Sequence, residues 1–267
     1  MPFIELAGVT VHYRIDGPDT GARVVFLNSL GTDCRIWDDL VLALDRRRLR
    51  TLVYDQRGQG LSDAPPGPYS IAEHADDLQS LLDHLHWGPT VLCGLSIGGM
   101  IAMEACARRP EGIRGLVLAD TSDVIGPRDF WNGRIQDIRS HGLRPIAGTV
   151  LERWFGASYR RERAVEARGW ANLLARAPVD GYLGSCAALR DADLSEIVPG
   201  IAVPALCICG SEDTSTPPSA MRSLAARLPR GKYEELPGAG HLAPVERPGE
   251  FGAMVVRFIE EINGLAR

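Results

Sequence analysis

Residues 91–100 read V-L-C-G-L-S-I-G-G-M, an apolar run that breaks on a serine fenced by small residues. Positions 90–93 have the β-branched and apolar character of a buried strand, and Met100-Ile101-Ala102-Met103-Glu104-Ala105 has the character of a helix. Between them, Gly94-Leu95-Ser96-Ile97-Gly98 matches G-x-S-x-G in the strand, turn and helix context that this motif requires. So tight a turn leaves no room for side chains at 94 and 98, where glycine tolerates both the backbone angles and the close approach. Ser96 is thereby pushed out as a candidate nucleophile. Five residues alone also fit an ordinary strand-to-helix connection, so the rest of the chain decides.

A chain of 267 residues that is 45% hydrophobic can bury a substantial core, as one large domain or one domain carrying an insertion. No apolar run approaches the ~20 residues needed to cross a bilayer. The start, M-P-F-I-E-L, lacks a basic segment followed by an apolar one. The expectation is a soluble, cytoplasmic protein with no membrane partner. Cysteines 34, 93, 106, 186, 207 and 209 fall mostly in apolar stretches without the spacing of a disulfide framework, and are read as reduced core residues. Cys207-Ile208-Cys209 would place two thiols on one strand face beneath a packed core, and no metal is expected there. A net charge of −5, with no Lys/Arg cluster interleaved with aromatics, argues against nucleic acid as a partner. The charge is unevenly spread: residues 122–200 hold eleven Arg against ten Asp or Glu, a balance of +1 that leaves −6 for the remainder.

Extended Val/Ile/Leu/Tyr runs alternate with helical patterns, which predicts an α/β fold: a mostly parallel sheet with helices on both faces. The eight expected strands cover 3–5, 9–15, 23–27, 50–55, 90–93, 115–119, 205–209 and 232–236, the first two joined as an antiparallel hairpin. The clearest helix precedes the serine strand: Ile71, Ala75, Leu78, Leu82 and Leu85 share one face, which leaves Glu73, Asp76, Asp77 and Asp83 for solvent. After Asp120-Thr121-Ser122 the alternation stops until about Val203, and only helical patterns such as Val165, Trp170, Leu173 and Leu174 appear. Residues 122–203 are therefore expected to form a helical cap inserted into a core made of 1–121 and 204–267.

A serine on such an elbow takes its acid and then its histidine from later loops at the carboxyl ends of strands. Asp213 lies in G-S-E-D-T-S-T-P-P after the seventh expected strand, and His241 in P-G-A-G-H-L after the eighth. The chemistry needs His241 to take the Ser96 proton and Asp213 to hold the imidazole's tautomer and stabilise its charge. His12, His74, His84, His86 and His141 fall on a strand, on helices or in the cap; only His241 sits in a Gly-flanked loop after the last strand. Asp120, ending the strand after the nucleophile helix, is the rival acid, and sequence does not separate the two. Glu212, beside Asp213, is read as a solvated loop carboxylate. Acyl transfer also needs two N–H donors for an oxyanion: the Ile97 amide at a helix N-terminus, and the Leu30 amide in F-L-N-S-L-G-T-D. D-Q-R-G-Q-G-L-S at 55–62 is read as a structural turn behind the site rather than a phosphate loop.

The elbow, D-x-R-G-x-G-x-S and the spaced Asp and His resemble the α/β-hydrolase superfamily across essentially the whole chain. Within it, N-S-L-G-T-D-x-x-x-W (28–37), C-G-L-S-I-G-G-M (93–100), W-x-x-R (131–134), G-Y-x-x-x-C-A-A-L-x-x-A-D-L (181–194) and G-H-L-A-P-V-E-R-P (240–248) are similar to 3-oxoadipate enol-lactonases. Two departures stand out: Asn28-Ser29 where many relatives have His-Gly, and Asp120 where Asn or another neutral residue is expected. The resemblance implies hydrolysis of a small anionic enol-lactone in the β-ketoadipate route of aromatic catabolism, without a cofactor. A protein of net charge −5 offers such an anion no overall steering, so a local cation must recognise its carboxylate. Arg134 is favoured among the cap arginines by resemblance and by its neighbour Trp131. Trp154 is either an apolar wall of the site or a plain cap-core residue. The alternative activity is that of another small-acyl serine hydrolase: a carboxylesterase, a cofactor-free perhydrolase or a carbon–carbon bond hydrolase of ring-cleavage products. The oligomeric state is left open.

Overall fold

The computed structural model describes residues 2–44 and 48–264. Eight strands form one sheet: β1 (Phe3–Leu6), β2 (Val9–Asp16), β3 (Ala22–Leu27), β4 (Leu49–Tyr54), β5 (Thr90–Leu95), β6 (Ile113–Ala119), β7 (Ala205–Gly210) and β8 (Gly231–Leu236). Their order is β1-β2-β4-β3-β5-β6-β7-β8. β1 and β2 pair antiparallel, as the missing helix between them predicts, and β2 also runs antiparallel to β4. Every pairing from β4 to β8 is parallel. The central strands β5 and β7 are buried along their whole length, which is why they read as continuous apolar runs. All six cysteines are free and buried.

Helices connect the parallel strands: α1 (Asp38–Ala43), α2 (Ile71–His84) and α3 (Ile97–Arg108) lie before β6. α2 begins at a capping box in which the Ser70 hydroxyl accepts from the Glu73 N–H and the Glu73 carboxylate accepts from the Ser70 N–H. The helix matches expectation except at Asp77, which is buried and not on the solvent side. Its carboxylate accepts from the Arg57 guanidinium, 2.7 Å from Nη2, and Arg57 lies over the Tyr69 ring. Periodicity along one helix has no means of showing that a distant loop delivers a cation to its polar face.

Between β6 and β7 come five further helices, α4 (Arg128–His141), α5 (Ala147–Trp154), α6 (Ala157–Glu162), α7 (Ala164–Leu174) and α8 (Val179–Asp191). Val165 is 69% exposed, so α7 buries Ala167 and Leu174 and not the stripe expected from Val165. α8 meets the loops between β4 and α2 backbone to backbone. A Cβ added at Gly181 would stand 2.2 Å from the Gly58 carbonyl oxygen, and one at Gly67 would stand 2.7 Å from the Gly184 Cα. The Tyr69 N–H donates to the Gly184 carbonyl at 3.2 Å. The chain closes with α9 (Pro218–Arg227), α10 (Ala243–Glu246) and α11 (Pro248–Ile262). Among the described residues, no helix is long and apolar enough to cross a membrane.

Candidate active site

Ser96 stands between β5 and α3 with φ +58° and ψ −119°, a left-handed conformation that a non-glycine residue keeps only where its surroundings enforce it. Those surroundings are tight. A Cβ at Gly94 would lie 2.2 Å from the Gly98 carbonyl oxygen, and one at Gly98 would lie 2.4 Å from the Leu27 carbonyl oxygen. The Ser96 N–H donates to the Ala119 carbonyl (3.0 Å), and the Thr121 hydroxyl donates to the Ser96 carbonyl (2.6 Å).

Asp213 and His241 come together as the loop spacing predicts, with His241 Nδ1 2.9 Å from Asp213 Oδ2 and both side chains buried. Asp213 also accepts from the Thr216 hydroxyl (2.6 Å) and the Ser215 N–H (2.7 Å). Burial alone would raise its pKa, but the neighbouring imidazole and these donors outweigh burial and hold the carboxyl below the usual range. Ser96 Oγ makes no hydrogen bond to the imidazole, although both face one cavity; such contacts commonly tighten only around a bound substrate.

Asp120 is fully buried at φ +42°. Its Oδ1 accepts the Gly210 N–H at 2.7 Å, its Oδ2 has no hydrogen-bond partner among the described residues, and it makes no hydrogen bond to His241. Burial first, and the charge of Asp213 second, push its pKa well above the carboxylate norm, which favours its protonated form. Glu212 is exposed and makes no hydrogen bond to the imidazole, yet it is more than a solvated carboxylate: its Oε2 accepts the Ala157 N–H at 2.9 Å. Glu246 reinforces the same junction, accepting from the Gly240 N–H (2.7 Å) and the Gly156 N–H (3.1 Å). With the Leu242 N–H donating to the Trp154 carbonyl (2.8 Å), the loop bearing His241 is tied to the α5–α6 connection.

The amides of Leu30 and Ile97 are both without a hydrogen-bond partner among the described residues, and Ile97 opens α3, where the helix dipole is positive. The loop holding Leu30 presses on the elbow, since a Cβ at Gly98 would also lie 2.8 Å from the Asn28 carbonyl oxygen. The D-Q-R-G-Q-G-L-S turn braces it: Gln56 donates to the Asn28 carbonyl (3.0 Å) and Gln59 to the Ser29 carbonyl (3.3 Å). Asp55 accepts from the Cys34 and Leu61 amides and hydrogen-bonds His12. Sequence reasoning read this turn as structural and missed the two glutamines; their only signal was an uncharged amide where a phosphate loop would place a cation.

A cavity of about 70 Å³ opens beside Ser96 and His241. Leu30, Trp131, Arg134 and Trp154, all expected at the site, line it, and so do Phe130, Arg153 and Tyr182, which sequence reasoning had not singled out. Trp131 is fixed by its indole N–H donating to the Ile125 carbonyl at 2.6 Å, and Arg134 Nη1 donates to the Tyr182 hydroxyl at 3.3 Å. Two buried groups bring possible metal-donor atoms within 4.8 Å of one another: His12, Cys34 and Asp55, and Asp120, Cys209 and Asp213. In both, the carboxylates already accept protein hydrogen bonds, and burial raises the thiol pKa, which disfavours the thiolate a metal would need.

The chain's likeness to known proteins matches this geometry. The family model for the alpha/beta hydrolase fold covers residues 22–248. The chain belongs to the α/β-hydrolase family. Among curated relatives of this hydrolase, 3-oxoadipate enol-lactonase 2 of Acinetobacter baylyi is 31% identical over 255 residues, 96% of this chain and 95% of the relative. 3-Oxoadipate enol-lactonase 1 of the same organism is 29% identical over 256 residues, with the same coverage. Among solved structures, the enol-lactonase from Burkholderia xenovorans LB400 superposes with a TM-score of 0.93 at 36% identity, over 97% of this chain and 99% of that one.

Proposed function

We propose that this α/β hydrolase is a serine ester hydrolase that opens the ring of 3-oxoadipate enol-lactone to give 3-oxoadipate, a step of the β-ketoadipate pathway. One observation carries the reading: a single small cavity holds an elbow serine, an acid-paired imidazole, unengaged amide donors nearby and guanidinium groups. The names of its full-length relatives support the same substrate class.

In this reading Ser96 Oγ attacks the ring carbonyl carbon as His241 takes the hydroxyl proton, and Asp213 stabilises the imidazolium through Nδ1. The oxyanion forms against the amides of Leu30 and Ile97. Collapse of the intermediate breaks the ring C–O bond and expels an enolate, a good leaving group, which receives the proton from His241 as an enol and relaxes to the ketone. A water deprotonated by His241 then attacks the acyl-enzyme, releasing the new carboxylate and restoring Ser96. Arg134, braced by Tyr182, faces the substrate's own carboxylate, and Trp131 and Trp154 wall the apolar side of the cavity.

Purified protein should turn over the enol-lactone with kcat/KM far above that for an aryl acetate. Ser96→Ala should fold normally and lose essentially all turnover, because a small elbow side chain contributes little to the core. Faster hydrolysis of the aryl acetate than of the lactone would assign the site to a general small-acyl esterase. Retention of even about a tenth of kcat in Ser96→Ala would remove Ser96 as nucleophile.

A further inference from the structure

The cavity contains a second cation. Arg153, on α5, lines it together with Arg134 on α4, and the two guanidinium groups lie over the same ring, with Cζ 4.7 Å and 5.2 Å from the Phe130 centroid. Both side chains are half-buried. Neither forms an ion pair among the described residues, whereas Arg14, Arg35, Arg57 and Arg227 do. Their hydrogen bonding differs: Arg134 donates to the Tyr182 hydroxyl, whereas the Arg153 guanidinium has no hydrogen-bond partner among the described residues. Burial first, and then the like charge of Arg134, pull the Arg153 pKa below the guanidinium norm, while Asp213 opposes this. The pair is thus close enough to repel, and Arg153 senses the carboxylate of the Asp213–His241 pair.

Two neighbouring half-buried cations without a counter-ion are unfavourable in an empty protein, and a bound anion relieves them. Rotamer-rich arginines held over an aromatic ring, with donors left unengaged, are preorganised for a planar acceptor such as a carboxylate. We propose that Arg153 is the principal specificity-determining residue of the acid-binding end of the cavity, the substrate's carboxylate being held between Arg153 and Arg134 over Phe130. The proposal rests on the lactonase reading for its substrate and on the two unpaired guanidinium groups for its site.

The test uses Arg153→Gln, Arg153→Lys and Arg134→Gln in the full chain, with the enol-lactone, a neutral aryl acetate, and adipate as a non-reacting six-carbon dicarboxylate. Arg153→Gln should raise KM for the lactone by about 30-fold, the loss expected for a charged hydrogen bond, with kcat changed less than about threefold. Aryl acetate hydrolysis should fall far less than lactone hydrolysis, and Arg153→Lys should recover part of the lactone KM by restoring the charge. Arg153→Gln should also melt at a higher temperature than the parent, because the repulsion is gone, and adipate should raise the melting temperature of the parent but not of the variant. Equal losses on lactone and aryl acetate, or undiminished protection of Arg153→Gln by adipate, would overturn the assignment. If the parent does not hydrolyse the lactone, yet adipate competes with the aryl acetate in the parent and not in Arg153→Gln, the anion site stands and the lactonase reading falls. If adipate competes equally with both proteins, the anion site falls.

Discussion

Replacing Asp213 and Asp120 separately by Asn distinguishes the two buried carboxyls that flank the last strands. In Asp213→Asn the side chain keeps its shape, but the atom at Oδ2 can become an N–H donor facing His241 Nδ1, 2.9 Å away. The imidazole then favours the tautomer with Nδ1 as acceptor and Nε2 protonated, which cannot take the Ser96 proton. The variant also loses the charge that stabilises the imidazolium. A unit-charge pair at 2.9 Å, in an effective dielectric near 20, is worth roughly 6 kcal/mol, or about 10⁴ in rate. Asp120→Asn is the milder exchange, because burial and the charge of Asp213 already favour the protonated form of Asp120. Its Oδ1 keeps the Gly210 N–H, and the new amide replaces an oxygen that has no hydrogen-bond partner among the described residues. Its kcat should stay within about threefold of the parent. Steady-state kcat on lactone and aryl acetate, with circular dichroism to verify folding, reads both effects. A large loss in Asp120→Asn alongside a mild one in Asp213→Asn would refute the reasoning and give the imidazole a different acid.

Gly98→Ala would drive a Cβ to 2.4 Å from the Leu27 carbonyl oxygen, against backbone that can yield only by moving the Leu30 loop. It should cost about 1–3 kcal/mol of stability and lower kcat on every substrate alike; unchanged kcat would mean that the loop does not hold the oxyanion. Glu246, whose carboxyl pKa is raised from 4.5 to about 7 chiefly by burial, binds its proton more tightly folded than unfolded, so its contribution to stability falls as pH rises through that window. Glu246→Gln keeps an acceptor for the Gly240 amide and should flatten the melting-temperature profile between about pH 4.5 and 7, with the variant the more stable at pH 8. Parallel profiles for parent and variant would show that Glu246 titrates as an ordinary carboxyl.

Much of the site was legible because its determinants are local. The elbow announces itself in five contiguous residues, and Asp213 and His241 each follow a recognisable strand within a few positions. Asp120 satisfied the same local rule, and only the pairing of His241 with Asp213 separates the two in space. What stayed hidden depends on contacts between distant segments. Asp77 reads as a wet helix residue until Arg57 is placed against it. Val165 fits an apolar helical stripe but finds nothing to pack on. Arg153 is one of eleven arginines between 122 and 200 and carries no local mark; its significance arises only where α4 and α5 converge over Phe130.

The glycine crossing of α8 over the core loops sets the gauge of the pocket from behind. Tyr182, which braces Arg134, sits on α8 between Gly181 and Gly184, the two residues whose backbones lie directly against Gly58 and beside Gly67 and Tyr69. A side chain of any size at position 58 would wedge that contact apart and carry Tyr182 with it. The shape of the cavity is therefore exposed to drift at a buried turn that does not line it. Lineages that exchange Gly58 should show compensating change along α8, where the wedge would otherwise shift Tyr182 away from Arg134.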